Sequence, residues 1–311
     1  MSVCFDNSAG LPTGVSDTCS TGASLHVDRI RERLAGLLPE NSVAGDYVRF
    51  RIALFHAQAA TLAGLGDWTA AQPVSKASGH RGPALRPEMV DFDPAAAERL
   101  FRAIAAACRE HGNPEADLAR LGSAVASRPE LLEGLLRAAA FGPDEEHLAS
   151  LADRLEVSAE LLVFVGRLVA APFVTRAVSH LAQHGSVPAE SDGSCPACGS
   201  TPGLASLRPG DGGRVLHCSL CGQRWRFGRL VCPFCVGKDP SNLSRLTIAG
   251  EDARWIEACD HCRHYLKVMD LGRRPGEEEF IPLVEEVAGL CLDLVAEKEG
   301  YHGNPFYAAV G

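Results

Sequence analysis

CPAC (195–198), CSLC (218–221), CPFC (232–235) and CDHC (259–262) are four CxxC motifs that lie close together in the second half of the chain. They hold eight of its twelve cysteines. One CxxC turn can direct two thiolates at a metal ion, and two turns complete a tetrahedral four-thiolate site. The sequence therefore predicts two metal sites, whose ligands are Cys195, Cys198, Cys218, Cys221, Cys232, Cys235, Cys259 and Cys262.

The spacing of the motifs indicates which pairs share an ion. Nineteen residues separate Cys198 from Cys218 and 23 separate Cys235 from Cys259, but only ten separate Cys221 from Cys232. Sequential pairing is the simplest arrangement: the first two motifs form site 1 and the last two form site 2. A cross-braced arrangement, first motif with third and second with fourth, remains an alternative. Units of this size do not fold on hydrophobic burial alone, so metal binding is expected to supply about 10 kcal/mol or more at each site.

The ligand set is compatible with either zinc or iron. Four thiolates around a divalent ion leave a net charge of about −2, and ferric iron would reduce it to about −1 and make the site redox-active. Gly199 and Gly222 follow the first two motifs, where glycine permits a positive φ. Val236 and Arg263 take this position after the last two motifs. We therefore expect site 2 to be less well hydrogen-bonded than site 1.

The rest of the chain is predicted to be mainly helical. Ala/Leu-rich segments with helical periodicity indicate an all-α domain of six to eight helices. Short segments rich in β-branched and aromatic residues alternate with the CxxC turns, as the strands of small metal-stapled sheets would. The fold class is thus α plus small β: a helical N-terminal domain, then two rubredoxin-like or zinc-ribbon-like modules, then a C-terminal helix. The predicted boundaries are 1–25 (flexible N-terminus), 26–185 (helical domain), 186–194 (linker), 195–230 (module 1), 231–272 (module 2) and 273–311 (C-terminal helix and tail).

Several local signals predict where helices begin and end. Asp93 followed by Pro94 is typical of an N-cap and a first helical position. Ser158 is expected to cap a long apolar helix that is kinked at Pro172 and ends at His184-Gly185. Cys108 and Cys291 fall on apolar helix faces, which predicts that both thiols are buried.

Composition and charge narrow the class of protein. The net charge of −9 argues against a general polyanion binder. The first residues lack a basic region followed by an apolar run, and the most apolar stretch (161–174) is interrupted by Arg167 and Pro172. We therefore expect a cytoplasmic protein without membrane insertion, in which clustered cysteines bind metal rather than form disulfides.

The sequence shows no motif of a conventional active site. It contains no phosphate-binding glycine loop, no GxSxG, no HExxH and no paired-carboxylate arrangement. We therefore predict that the protein is not an enzyme. Arg214, Arg224, Arg226 and Arg229 lie around the second CxxC with aromatic residues between them. They either bind an anionic or peptide partner or offset the charge of the metal–thiolate centres.

The cysteine-rich half resembles the FdhE family of formate dehydrogenase accessory proteins. The resemblance is carried by CPACGSTP (195–202), LHCSLCGQRWRFGRLVCPFC (216–235), EACDHCRHYLKV (257–268) and GYHGNPF (300–306). It implies an accessory protein that binds the catalytic subunit of a respiratory formate dehydrogenase before that subunit is exported folded by the twin-arginine route. It also implies rubredoxin-like iron at the eight cysteines named above.

Within this resemblance, the exposed surface of the two modules is expected to contact the client. The candidate contacts are Trp225, Arg229, Tyr265 and Lys267. A homodimer is also compatible with the sequence. The main alternative function is a thiol–disulfide or rubredoxin-like electron-transfer protein. A ribbon-type nucleic-acid binder is a third reading, which the near balance of acidic and basic residues in the modules disfavours.

Overall fold

The computed structural model describes residues 21–37, 43–68, 82–111, 115–141, 144–188, 191–274 and 279–303. The first twenty residues, most of the predicted flexible N-terminus, lie outside the described residues. Within those ranges the first part of the chain is helical, as the sequence predicts. Its seven α-helices are α1 (Thr21–Ala35), α2 (Val43–Gly64), α3 (Pro94–Glu110), α4 (Glu115–Ser127), α5 (Glu130–Ala140), α6 (Glu145–Leu155) and α7 (Ala159–Gln183).

The predicted helix signals are present. The Asp93 carboxylate accepts a hydrogen bond from Ala96 N at 2.6 Å and begins α3, with Pro94 in its first turn. Ser158 Oγ accepts from Leu161 N and begins α7. That helix ends at His184, and Gly185 follows with a φ of 63°. Cys108 is fully buried on α3, as expected.

Helix α7 is the centre of the helical domain. It packs against α2, α3, α5 and α6, and most of its residues are buried, which explains why it is apolar on nearly every face. By length and composition α7 resembles a membrane span, but 89% of that apolar window is buried inside the protein. Its apolar character among the described residues is therefore that of a core helix. Pro172 lies within α7, which continues on both sides of it.

The two cysteine modules share one six-stranded sheet. The strands are β1 (Pro202–Leu207), β2 (Arg214–Cys218), β3 (Arg224–Arg226), β4 (Leu243–Leu246), β5 (Arg254–Cys259) and β6 (Tyr265–Asp270). Their order is β3-β2-β1-β6-β5-β4. Neighbours within each module are antiparallel, whereas β1 and β6 pair in parallel and join the modules. The sequence predicted the strands and the four-cysteine units but not this continuous sheet.

Each module repeats the same order of elements. A CxxC turn is followed by two antiparallel strands, a second CxxC turn and a third strand. The third strand of module 2 (β6) lies beside the first strand of module 1 (β1). Because β3 and β6 hold equivalent places, the modules are two similar units placed side by side in one sheet.

The expected C-terminal helix is two short helices, α8 (Pro282–Ala288) and α9 (Leu290–Lys298), separated at Gly289. A Cβ at Gly289 would lie 2.9 Å from Lys267 Cδ, so the glycine leaves room for that side chain. The break changes which residues face inward: Cys291 is exposed rather than buried, and Leu294 is 60% exposed. Our expectation for Cys291 was therefore wrong, because it assumed one uninterrupted helix.

Candidate metal centres

The four sulfur atoms of site 1 lie at metal-binding distances. Cys195 Sγ is 3.8 Å from Cys221 Sγ, and Cys198 Sγ is 3.5 Å from Cys218 Sγ. All four sulfurs lie within 4.8 Å of one another. A tetrahedron with metal–sulfur bonds of 2.3 Å has sulfur–sulfur edges of about 3.8 Å. Site 1 therefore has the size of a tetrahedral four-thiolate centre, formed by the first two motifs.

Site 2 has the same dimensions. Cys232 Sγ is 3.7 Å from Cys262 Sγ, and Cys235 Sγ is 3.8 Å from Cys259 Sγ. Its four sulfurs also lie within 4.8 Å of one another. The structure thus groups the eight cysteines by sequential pairing and not by the cross-braced alternative. Among the described residues, neither group includes a histidine.

All four CxxC turns have the same backbone conformation. In three of them the N–H four residues after the first cysteine donates to that cysteine's carbonyl, from Gly199, Val236 and Arg263. In every turn the first cysteine's N–H donates to the carbonyl five residues later. The residue after each second cysteine has a positive φ, which is 80° at Gly199 and 72° at Gly222. This conformation turns successive N–H groups toward sulfur.

Site 2 reaches the same conformation without glycine. Val236 and Arg263 have φ values of 56° and 59°. The backbone N–H groups of Phe234 and Cys235 donate to Cys232 sulfur, as those of Leu220 and Cys221 do to Cys218 at 3.4 and 3.5 Å. Our expectation of poorer hydrogen bonding at site 2 was therefore wrong. The difference is instead strain, because the left-handed region costs an L-residue about 1–2 kcal/mol.

A buried arginine of the helical domain lies beside site 1. Arg167 is 2% exposed on α7 and donates to Ser219 Oγ at 3.1 Å and Ala139 O at 3.5 Å. Burial lowers the pKa of its guanidinium, and three thiolates of site 1 oppose that shift. A buried cation requires a nearby anion, which a four-thiolate centre with a net negative charge supplies. In the sequence, Arg167 stands out only as an interruption of an apolar run, since no local pattern connects it to cysteines far along the chain.

A second buried arginine lies beside site 2. Arg214 donates to the Glu257 carboxylate at 2.5 Å and to Val231 O at 2.6 Å, so it joins β2 of module 1 to β5 and to the start of module 2. Burial lowers its pKa, whereas Glu257 and the thiolate of Cys232 raise it. Each centre therefore has one buried arginine nearby. Its burial and its contacts inside the modules argue against partner binding by Arg214.

Both clusters fit a metal ion by their own geometry. The donors are four cysteine sulfurs at tetrahedral spacing, backbone N–H groups point at several of them, and a buried cation stands by each cluster. Four thiolates suit zinc and iron. An ion bound by four cysteines in this way would link two turns that are distant in sequence and would thereby stabilise the fold of each module.

Comparison with known proteins gives a consistent result. The family model described as "FdhE, central domain" matches residues 194–229. "Protein FdhE" of Escherichia coli O139:H28 (strain E24377A / ETEC) is 29% identical over 297 residues, which cover 90% of this chain and 85% of that protein. The chain is similar to FdhE proteins along most of its length.

A second relative and one solved structure agree with this similarity. A "Protein FdhE homolog" of Pectobacterium carotovorum subsp. carotovorum (strain PC1) is 34% identical over 126 residues, and the match spans only 39% of each protein's length. The crystal structure of the FdhE protein from Pseudomonas aeruginosa matches with a TM-score of 0.62 and 24% identity, and covers 91% of this chain and 95% of that one. At that identity the likeness supports the FdhE fold.

The terminal GYHGNPF run of the FdhE resemblance lies partly against site 2. Tyr265 N donates to His302 O at 3.1 Å, and His302 N donates to Arg263 O at 2.7 Å. Arg263 also lies 3.9 Å over the Tyr301 ring and donates to Glu299 O at 2.8 Å. The motif therefore holds the fourth CxxC turn in place up to Gly303. Its last three residues lie outside the described residues.

Three of the four predicted contact residues are interior. Trp225 is 3% exposed, Tyr265 is 5% exposed and Lys267 is 9% exposed. Tyr265 and Lys267 both donate to the Asp293 carboxylate of α9, at 2.8 and 2.7 Å. At these three positions the core and the C-terminal helices cover the predicted contact surface. Arg229 is exposed, and a partner-binding role for any of the four residues remains a prediction.

Proposed function

We propose that this chain is an accessory protein for the maturation of a respiratory formate dehydrogenase. In this role it binds the catalytic subunit in the cytoplasm before export, through the surface of its metal-stapled modules. The observation that carries the proposal is the pair of four-cysteine centres on a helical body, in a chain that is similar to FdhE proteins over most of its length. Zinc or iron would occupy the two centres, and the protein itself would perform no chemistry on the client.

Exposed apolar side chains suggest where the client binds. Among the described residues, three large hydrophobic side chains are exposed: Leu230 (62%), Leu294 (60%) and Val236 (40%). Leu230 and Val236 flank the third CxxC turn, next to the exposed Arg229. Contiguous exposed apolar surface is typical of protein contact sites, and these two side chains lie on either side of one turn. We therefore propose the strip Arg229, Leu230 and Val236, which we call the third-turn rim, as the client-contact surface.

The deciding experiment is an anaerobic affinity pull-down of the tagged protein from its host, with mass-spectrometric identification of co-purifying proteins. We expect a formate dehydrogenase catalytic subunit, which is lost with Cys218→Ser. Leu230→Asp should lower its recovery, whereas Leu294→Asp, an equally exposed leucine on α9, should not. Absence of the subunit from cells that express it would refute the accessory role. Equal recovery with both leucine variants would refute only the third-turn rim.

A thiol–disulfide or electron-transfer protein is the alternative. A redox CxxC pair forms its disulfide within one motif and is usually activated at a helix N-terminus. Here the turns lie between strands, and the sulfurs at 3.5–3.8 Å belong to different motifs. Thiol titration of the folded protein distinguishes the two readings: reactive pairs would favour the redox enzyme, and masked thiolates the metal centres.

A further inference from the structure

The two cysteine centres differ in their access to solvent. Each cysteine of site 1 is 1% exposed. At site 2, Cys232 and Cys259 are buried, but Cys235 and Cys262 are only half-buried. One cysteine from each turn of site 2 is therefore partly exposed to solvent.

The helical domain accounts for the closure of site 1. Ala84 N donates to Pro196 O at 2.9 Å and Leu85 N to Ala197 O at 2.8 Å, so a helical-domain segment pairs with the first CxxC turn. The four cysteines of site 1 belong to the same hydrophobic core as α5 and α7. An external ligand would have to separate the helical domain from module 1 to reach this centre.

Site 2 has a thinner cover. The linker crosses its third turn at Gly193, where a Cβ would lie 2.2 Å from Pro233 O, and residues 300–303 lie against its fourth turn. The adjoining Leu230 and Val236 are 62% and 40% exposed. No helix of the helical domain is needed to complete this centre within the described residues.

The backbone adds a second difference. Both site 1 turns place glycine at the left-handed position, whereas site 2 places Val236 and Arg263 there. A β-branched residue in this region is strained. Opening the third turn relieves that strain, whereas opening a site 1 turn does not.

From these observations we infer that site 2 is an exchange-competent metal centre and that site 1 is a closed structural one. The inference rests on the proposed metal occupancy. An incoming ligand, such as a chelator or a thiolate, would reach the bound ion from the side of Cys235 and Cys262, the two partly exposed cysteines. One metal–sulfur bond breaks as a bond to the new ligand forms, and the released thiolate takes a proton from water. Divalent ions that bind thiolates well, such as Zn²⁺, Fe²⁺ and Cd²⁺, would exchange there.

The test uses the full-length protein loaded with Zn²⁺ and mixed with the chromogenic chelator 4-(2-pyridylazo)resorcinol. We expect two phases of zinc release with equal amplitudes and rates that differ by about tenfold or more, or about 1.4 kcal/mol in activation free energy. A single phase for all bound zinc would overturn the inference and leave the proposed function standing. Failure of the protein to bind zinc or iron at either site would overturn both.

A labelling experiment assigns the phases without any variant. Samples are taken during zinc release, pulsed with iodoacetamide and mapped by peptide mass spectrometry. The exposed Cys291 and the buried Cys108 serve as internal standards for full and absent labelling. We expect Cys235 and Cys262 to be alkylated during the fast phase. Alkylation of site 1 cysteines in that phase would overturn the assignment.

The variant Cys235→Ser provides an independent check on the assignment. It should abolish the fast phase and leave the slow phase, with an unchanged far-UV circular dichroism signal from the helical domain. The matched variant at site 1 is Cys198→Ser. Cys198 is buried in a turn that is hydrogen-bonded to the helical domain. Retention of the fast phase in Cys235→Ser would overturn the inference.

Discussion

Arg167→Met removes the buried cation beside site 1 and keeps a long apolar side chain in its place. Arg167 is 2% exposed, and its guanidinium donates to Ser219 Oγ and Ala139 O while it faces the site 1 thiolates. The variant therefore leaves the centre with an uncompensated negative charge in a site from which water is excluded. It also removes the hydrogen bond from the guanidinium to Ala139 O of the helical domain.

The expected loss follows from this burial. Removing one partner of a buried ionic pair costs about 3–5 kcal/mol. Since the negative charge exists only when thiolates hold the metal, most of that cost should appear as weaker zinc binding at site 1. At 1.4 kcal/mol per tenfold, the dissociation constant should rise by about two to three orders of magnitude. Arg167→Lys keeps the charge but loses the planar fork, so its loss should be intermediate.

The assay is zinc competition with a chelator of known affinity, combined with urea unfolding followed by near-UV circular dichroism. The control is Arg176→Met on the same helix, because Arg176 donates to Gly66 O and Asp91 O at the surface. That variant should cost about 1 kcal/mol of stability and leave zinc affinity unchanged. If Arg167→Met bound zinc at site 1 as tightly as the wild type, the charge-compensation argument would be refuted.

Three further predictions follow from the modules and their contacts. Cys218→Ser, or complete chelation, should unfold module 1 and abolish its near-UV circular dichroism signal, because about 10 kcal/mol of metal binding is lost. Val236→Gly should raise the thermal stability of the zinc-loaded protein, by about 1 kcal/mol, through relief of backbone strain. Burial raises the pKa of Glu286, but Arg51 and Lys267 outweigh it and hold that pKa below the usual value. Glu286→Gln should therefore be less stable than the wild type at neutral pH, and the difference in melting temperature should shrink as pH falls through this lowered pKa.

Each of these predictions has a contrary outcome. An unchanged near-UV spectrum after complete metal removal would show that the modules do not depend on metal. Arg263→Gly is the control for strain: it relaxes the same backbone conformation but loses the contacts to Tyr301 and Glu299, so it should give no gain. A gain equal to that of Val236→Gly would contradict this account. A melting difference for Glu286→Gln that stays constant from neutral to acid pH would exclude a charged role for this carboxylate.

Local chemistry in the sequence predicted most of the individual elements. Asp93, Ser158 and the glycines after the first two motifs act within a few residues of themselves, so their roles can be read from neighbours along the chain. The pairing of the cysteines also followed from spacing, because a short connection restricts which turns can meet. The C-terminal helix was predicted less well. The periodicity through Cys291 ignored Gly289, whose function depends on the Lys267 side chain of a distant strand.

The contacts between distant segments could not be predicted in this way. A parallel pair such as β1 and β6 leaves no turn signature, because its strands are joined by a long crossover. Arg167 likewise lies far along the chain from the site 1 thiolates that its charge faces. Yet these contacts determine how the modules differ. The helical domain covers site 1, whereas site 2 lies in the part of the shared sheet that the helical domain does not cover. Two nearly identical cysteine patterns therefore differ in what packs around them, which is why we expect metal exchange at site 2 while site 1 holds the sheet to the helical domain.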